Sequence, residues 1–216
     1  MKFLSSAARL LKRCGRKGDP EEKSAPDAEN RQKANQEARG RIHLTRDEVH
    51  QLMRAAKKRS RYGERDALMI RLAFEHGLRV SELVGLSWGS VDLKNRKINI
   101  KRVWGSESGA HKLQKGTAQE LERYQRHTGR SSGFIFVNER GGCVSTEGFR
   151  NFFARLSSRE LGMRWHPHAL RHACGVHLVE IGLDVQEVQE YMGHAQIHNS
   201  ERYTDITEKS SERVVF

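Results

Sequence analysis

The stretch HPHALRHACGVHLVEIG (166–182) combines the pattern of a buried helix with a cluster of ionisable side chains. Its apolar residues recur at helical spacing: Leu170, Cys174, Leu178 and Ile181. This spacing predicts a helix face that packs on the core, and Gly182 is the residue type that ends a helix. Pro167 lies just inside the predicted start, a position that suits proline. His168 and Arg171, three residues apart, are then expected on one face of the same helix.

A helix is expected on each side of this stretch. Upstream, large apolar residues follow the i, i+3, i+4, i+7 rule: Phe149, Phe152, Phe153 and Leu156. Downstream, Asp184 and Glu187 predict the capped start of a short helix that ends at Gly193. Its apolar residues are Val185, Val188 and Met192. The second half of the domain is therefore predicted to be helical.

The first half begins with two predicted helices. Thr45 is the expected N-cap of DEVHQLMRAAKK (47–58). ERDALMIRLAFEHG (64–77) is apolar over most of its circumference, which predicts a buried helix closed by Gly77. LVGLSW (83–88) is predicted to continue as helix.

Short strands are expected near the middle of the chain. In KINIKRV (97–103), Ile98 and Ile100 alternate with polar neighbours, which indicates a strand. A turn, GSESGA (105–110), would lead into a second strand, and FIFV (134–137) reads as another. Between them, a capping box is predicted from Thr117 and Glu120 ahead of Leu121 and Tyr124. The predicted fold class is mainly α with a small antiparallel β-sheet.

Composition separates the two ends of the chain from this domain. Residues 1–40 include GDPEEKSAPDAENRQKANQEARG (18–40), which has almost no large apolar side chain, so a disordered or loosely structured N-terminal extension is expected. The domain is expected over 41–207, and 208–216 forms a C-terminal tail. This tail is polar until a final VVF, which is either a frayed terminus or a segment that docks into a neighbouring subunit.

Charge and cysteine content limit the partners and the compartment. The 216 residues carry a formal net charge of +12 with a pI near 10, which favours a polyanionic partner such as nucleic acid. Cys14, Cys143 and Cys174 are an odd number without a pairing pattern, as is usual in a reducing cytoplasm. No run approaches the ~20 apolar residues of a membrane span. We therefore expect a cytoplasmic, nucleoid-associated protein with no membrane partner.

Four short motifs concentrate the ionisable residues: GLRVSELVGL (77–86), HPHALRHACG (166–175), MGHAQ (192–196) and ERYTDI (201–206). Each has an ordinary interpretation by itself. Arg79 and Glu82 have the spacing of a surface ion pair, which contributes little to stability. His194 follows the glycine that ends a helix, and Tyr203 has the character of a half-buried aromatic residue.

Together, the four motifs fit the cleavage of a phosphodiester. Arg79 and Arg171 would clamp the nonbridging phosphate oxygens in fork geometry, where charge builds up in the transition state. A tyrosine with its ordinary pKa of about 10 is a poor nucleophile unless cations and a base assist it. His168, His194 and the arginines would supply that assistance to Tyr203.

In their order and spacing, the motifs resemble those of the tyrosine recombinase (phage integrase) family. GLRVSE (77–82) matches its G-L-R-x-x-E motif, HALR (168–171) its His-x-x-Arg pair, and Gly193-His194 precedes Tyr203 by the family's nine residues. The likeness spans roughly residues 42–207. It implies the catalytic-core fold of that family, with double-stranded DNA as substrate, a homo-tetramer on DNA, and neither metal nor other cofactor.

The resemblance also implies roles for single residues. Tyr203 would attack the scissile phosphate and form a 3′-phosphotyrosyl bond, while Arg79 and Arg171 hold the phosphate. His168 would be the general base, His194 would donate a hydrogen bond to the phosphate, and Glu82 would support the first arginine. Basic residues expected to contact DNA are Lys101, Arg102, Lys112, Lys115, Arg164 and Arg202.

Two departures from the family pattern stand out. The hairpin lysine that protonates the leaving 5′-oxygen falls, by counting from Arg79, on Trp104, with Lys101, Lys112 and Lys115 as nearby substitutes. Loss of a general acid costs about 10²–10⁴-fold in rate. Many members also have a DNA-binding domain ahead of the catalytic one. Here only a short segment precedes the catalytic domain. The chain therefore resembles the subgroup of bacterial fimbrial-switch invertases, or it is a fragment of a longer protein.

Other interpretations use the same residues. Without the lysine, the chain would bind DNA and cleave it weakly or not at all. VEIGLDVQEVQEYMGHAQ (179–196) has the rhythm of a helix-turn-helix motif. A zinc site could be drawn from His166, His168, His172, Cys174 and His177. A type IB topoisomerase shares the chemistry, although the spacing fits recombinases better.

Overall fold

The computed structural model describes residues 40–102 and 109–193. Nearly all of the expected N-terminal extension, the C-terminal tail, and His194, Arg202 and Tyr203 lie outside these ranges. Trp104 and most of the predicted GSESGA turn also lie outside them.

The described residues form a mainly helical domain with a small sheet, as predicted. The helices are α1 (Arg46–Arg59), α2 (Gly63–Glu75), α3 (Val80–Val84), α4 (Lys115–Thr128), α5 (Thr146–Leu161), α6 (His168–Glu180) and α7 (Val185–Met192). The strands are β1 (Val91–Asp92), β2 (Lys97–Ile100) and β3 (Gly109–Lys112). None of these helices is long and apolar enough to cross a lipid bilayer.

The three strands form one antiparallel sheet in the order β1-β2-β3. Ile98 pairs with Val91 on one side and with His111 on the other. Ile98 and Ile100 are buried and their neighbours on β2 are exposed, so the predicted alternation is confirmed. The strand ends at Ile100, earlier than the sequence predicts, and Lys101 and Arg102 follow it as irregular backbone.

Helix α2 lies at the centre of the domain and packs against α1, α4 and α6. Its apolar residues are almost fully buried: Leu68, Met69, Ile70, Leu72 and Ala73. This burial explains why its sequence is apolar over most of its circumference. Because α2 ends at the turn that contains Gly77, the core fixes the position of that turn.

The predicted helix starts and stops are mostly confirmed. Thr45 caps α1, with its hydroxyl accepting a hydrogen bond from the Glu48 N–H at 3.2 Å. Asp184 and Glu187 form a capping box at the start of α7. Helix α7 ends at Gly193, whose φ of +61° suits glycine.

The interpretation of 83–88 as helix is wrong beyond Val84, because Gly85 caps α3. The chain turns there toward the other segment predicted as a strand, FIFV (134–137). Ile135 N–H donates to the Leu86 carbonyl at 2.9 Å. FIFV therefore makes isolated bridges instead of a full strand.

Two predictions about side chains are also wrong. Helix α4 already begins at Lys115, so Thr117 lies inside its first turn and does not cap it. The Thr117 hydroxyl is buried and donates to the Glu75 carboxylate at 2.7 Å. Ile181, expected on the buried face of α6, is 59% exposed because it lies at the cap beyond the last helical turn.

The phenylalanine stripe of α5 provides a test of the core. Phe153 is fully buried, so we expect Phe153→Ala to lower the free energy of unfolding by about 3–5 kcal/mol. Phe134 is 44% exposed, and Phe134→Ala should cost less than about 1 kcal/mol. Urea unfolding of both variants measures the difference, and equal losses would contradict this assignment of the core.

Candidate active site

The carbonyl oxygen of Gly77 accepts hydrogen bonds from two arginine side chains. It accepts hydrogen bonds from Nη1 of Arg171 and, at 3.5 Å, from Nη1 of Arg102. Gly77 has a φ of +57°, and a Cβ built there would lie 2.5 Å from the sulfur of Met192. The positive φ favours glycine at this turn, and a Cβ would also force the Met192 side chain to move. The turn places Arg79, two residues later, next to the same cluster.

Glu82 holds Arg79 by a side-chain and a backbone contact. Oε1 of Glu82 accepts from Nη1 of Arg79 at 2.9 Å, and Oε2 accepts from the Arg79 N–H at 2.9 Å. Oε2 also accepts from Nη1 of Arg102 at 2.9 Å. Burial acts to raise the pKa of Glu82, but the hydrogen bonds of Arg79 and the charge of Arg102 outweigh it and hold the pKa below its ordinary value. Glu82 is therefore ionised and fixes the positions of both arginine side chains by hydrogen bonds.

Arg171, on α6, ties the Gly77 turn to the end of α7. Its Nη2 donates to the carbonyl of Met192 at 2.8 Å, and the residue is only 2% exposed. Helix C-termini leave carbonyl oxygens without intrahelical partners. A guanidinium group donates hydrogen bonds to these oxygens, and its positive charge interacts favourably with the negative end of the helix dipole. Arg171 is thus a buried cation fixed by backbone.

His168, the first residue of α6, lies within electrostatic reach of both arginines predicted to clamp a phosphate. Partial burial of its ring, followed by the positive charges of Arg171, His166 and Arg79, lowers the pKa of His168. The imidazole is therefore neutral near neutral pH and has a lone pair available to accept a proton. Its ring contacts His172 edge-on, with the centroids 4.7 Å apart.

The cluster carries more positive than negative charge. The guanidinium groups of Arg79 and Arg102 bind the Glu82 carboxylate, and that of Arg171 shares the Gly77 carbonyl with Arg102. The side chain of Arg79 is 29% exposed, whereas those of Arg102 and Glu82 are almost wholly buried. An excess of buried positive charge with one accessible guanidinium favours an anionic ligand at Arg79.

Arg102 is placed differently from its predicted role as a DNA contact. Its side chain is 1% exposed and points into the domain, where it donates to the Glu82 carboxylate and to backbone carbonyls. The other described residues predicted to contact DNA have exposed side chains: Lys101, Lys112, Lys115 and Arg164. Sequence reasoning missed the interior position of Arg102, although it continues the alternation of Ile98 and Ile100.

The residues considered for a zinc site are not brought together. Within residues 40–102 and 109–193, no group of three or more His, Cys, Asp or Glu side chains is arranged to hold a metal ion. Cys174 is buried near the middle of α6 with its sulfur 3.9 Å from the Glu75 carbonyl, whereas His168 is the first residue of that helix.

Comparison with known proteins agrees with the motifs. Residues 43–210 match the family model described as the phage integrase family. The chain is 36% identical over 171 residues to the type 1 fimbriae regulatory protein FimE of Escherichia coli K12, covering 76% of this chain and 85% of FimE. It is 33% identical over 168 residues to the tyrosine recombinase XerC of Pseudomonas aeruginosa, covering 76% of this chain and 54% of XerC.

The fold is also that of solved recombinase structures. The XerH site-specific recombinase, bound to its palindromic difH substrate after cleavage, superposes with a TM-score of 0.68 at 22% identity. The match covers 79% of this chain and 51% of XerH, so the chain spans about half the length of XerH, as it does of XerC. The family model covers most of the chain and FimE aligns over most of its own length, which shows that the chain belongs to the phage integrase family of tyrosine recombinases.

Proposed function

We propose that this chain performs site-specific DNA recombination by cleaving and rejoining DNA through a 3′-phosphotyrosyl bond at Tyr203. One observation carries the proposal: Arg171 binds the Gly77 carbonyl and Glu82 holds Arg79 two residues further on, with His168 within electrostatic range of both arginines. A pair of guanidinium groups and a base are the groups that attack of a phenol on a phosphodiester requires.

In the proposed reaction, Arg79 and Arg171 neutralise the nonbridging oxygens as the phosphorus becomes pentacoordinate. His168 accepts the phenolic proton while Oη of Tyr203 bonds to phosphorus. The bond from phosphorus to the 5′-oxygen then breaks, and that oxygen leaves as a hydroxyl after it gains a proton. His194 donates a hydrogen bond to the phosphate. Because the phosphotyrosyl ester keeps the energy of the cleaved bond, a 5′-hydroxyl of another strand can reverse the step.

DNA is proposed to bind mainly through its phosphates. Lys101 and Lys112 are exposed on the β2–β3 side of the domain, and Lys115 begins α4. Arg164 is exposed shortly before α6, near His168. Such cations position a duplex without reading its sequence, and their contribution weakens as salt is added. Double-stranded DNA is therefore the proposed partner.

The general acid is the part of the family pattern that this chain does not match, because Trp104 stands where the lysine is expected. Lys101 is exposed at the end of β2, just ahead of Trp104, and is the proposed substitute. The second candidate function follows from the same residue: a recombinase-like protein that binds DNA and cleaves it weakly.

Strand exchange between two duplexes requires four active sites, so a homo-tetramer on DNA is proposed. The apolar end of the chain, Val214, Val215 and Phe216, is the proposed contact between neighbouring subunits.

The nucleophile is tested by trapping the covalent intermediate. With a nicked suicide duplex, the wild-type chain should give a protein–DNA band on a denaturing gel. Tyr203→Phe should give none, because phenylalanine has no oxygen to attack phosphorus. The purified Tyr203→Phe variant must still bind the duplex. A band that persists in this variant would exclude Tyr203 as the nucleophile.

The general acid is tested with two variants in the same assay. Trp104→Lys should raise the trapping rate by about 10²-fold or more if the position lacks its acid, and Lys101→Ala should lower it by a similar factor if Lys101 substitutes. A substrate whose leaving oxygen is replaced by sulfur needs no acid and should remove both differences. Unchanged rates in both variants would rule out this account of the leaving group.

The subunit contact is tested by deleting residues 212–216. The deletion should reduce the fraction of tetramers formed on two duplexes, measured by native gel shift, while single-duplex affinity stays the same. Undiminished tetramer formation would show that the tail is not the contact.

A further inference from the structure

The buried Arg102 occupies a junction between three parts of the site. It follows β2, and its guanidinium lies against the ends of α2 and α7. Nη2 donates to the carbonyls of Tyr191 at 2.7 Å and His76 at 3.3 Å, and Nη1 donates to the Glu82 carboxylate at 2.9 Å. The rigid fork of arginine can serve several acceptors at once, which an ammonium group does less well.

The stem of Arg102 also packs against Gly193. A Cβ built on Gly193 would lie 2.9 Å from Nε, 3.0 Å from Cγ and 3.1 Å from Cδ of Arg102. The glycine is therefore required both by its φ of +61° and by the arginine beneath it. The arginine stem therefore helps to fix the end of α7 at Gly193.

Arg102 supplies buried positive charge that stabilises the ionised form of Glu82. Burial, then the nearby His111 and Arg102, lowers the pKa of His76 to about 3, and burial followed by Arg102 lowers that of His111 to about 4. Both histidines are neutral near neutral pH. Of the cations that hydrogen-bond Glu82, Arg79 is partly exposed and Arg102 is buried.

We propose that Arg102 is a positioning residue for strand cleavage, which orients Arg79 through Glu82 and supports the end of α7 at Gly193 through its stem, without touching DNA. This role rests on the proposed function. Without Arg102, Glu82 would be a buried carboxylate that has lost one of its two guanidinium partners, and its hydrogen bonds to Arg79 would weaken.

The first test compares Arg102→Met with Arg123→Met. Arg123 is exposed on α4, so the same exchange there controls for the loss of one positive charge. Arg102→Met should slow covalent trapping at neutral pH by roughly 10–100-fold, because small displacements of reacting groups have effects of this size. Its DNA dissociation constant should change by less than about threefold. A wild-type rate, or a loss of affinity that explains the whole loss of rate, would overturn the role.

The second test is the pH profile of trapping, which a merely structural defect would not shift. Loss of the arginine charge raises the pKa of Glu82, so protonation of Glu82 adds to that of the His168 base: the acidic limb of the Arg102→Met profile should become steeper and move to higher pH, and raising the pH should recover part of the rate. Arg102→Lys keeps a charge and should keep the wild-type limb with an intermediate rate. In an Arg102→Met, Glu82→Gln double variant, the shift should vanish. Identical limbs for wild type and Arg102→Met would contradict the mechanism.

A third measurement does not depend on cleavage. Carboxyl carbon NMR of glutamate-labelled protein, with Glu82→Gln to assign the signal, should show a higher pKa for Glu82 in Arg102→Met than in wild type. If this shift is seen but the wild type traps no DNA, the proposed function is wrong. In that case Arg102 still controls the ionisation of Glu82, but this control has no consequence for cleavage. If the Glu82 signal does not shift, the role fails even in an active enzyme. Should Arg102→Met not fold, Arg102→Lys decides: trapping as fast as wild type overturns the role.

Discussion

The site depends on one buried carboxylate, that of Glu82, and on the cations that keep it ionised. A carboxylate taken out of water loses several kcal/mol of hydration, and it stays charged only when close cations and hydrogen bonds replace that hydration. Arg79 and Arg102 replace it from opposite sides, one from the surface and one from the interior. Because Glu82 lies on α3 and Arg102 follows β2, the same interaction joins the sheet to the helical part of the domain.

A second constraint is the backbone at the ends of helices. The Gly77 turn and the last turn of α7 present carbonyl oxygens to Arg171 and Arg102. Backbone acceptors are fixed by the helices that carry them, so the two buried guanidinium groups have little freedom to move. A site intended to stabilise charge in a transition state benefits from such fixed groups, since no reorganisation is needed when the charge appears. The helical core around α2 is what fixes them.

Most of the fold was predictable from local patterns. The stripe of Phe149, Phe153 and Leu156 and the caps at Thr45 and Asp184 depend on neighbours within one helix, and they are found as predicted. Thr117 was misassigned because its partner, Glu75, lies 42 residues away in the chain. The end of the helix at Gly85 was missed for the same reason, since residues 86–88 pair with the distant segment around Phe134.

The arginine and histidine motifs of the site were recognised by their order in the chain, but the role of Arg102 was not. Its charge suggested DNA, whereas the alternation Ile98, Ile100, Arg102 placed it on the buried side of the sheet. Period-2 spacing was the better guide here than residue type. A buried arginine becomes acceptable only when its acceptors are known, and those acceptors come from α2, α3 and α7, which no local pattern connects.

The two chain ends that flank residues 103–108 are held at the same place. Arg102 enters the domain beneath Gly193, and His111, on β3, stacks on Tyr191 with the ring centroids 4.3 Å apart. The side chains of Arg102 and His111 therefore both contact the end of α7 from the side of the sheet. The described residues on either side of 103–108 are thus fixed by contacts outside that segment. A lysine introduced at Trp104 would therefore lie between two chain ends whose positions do not depend on it.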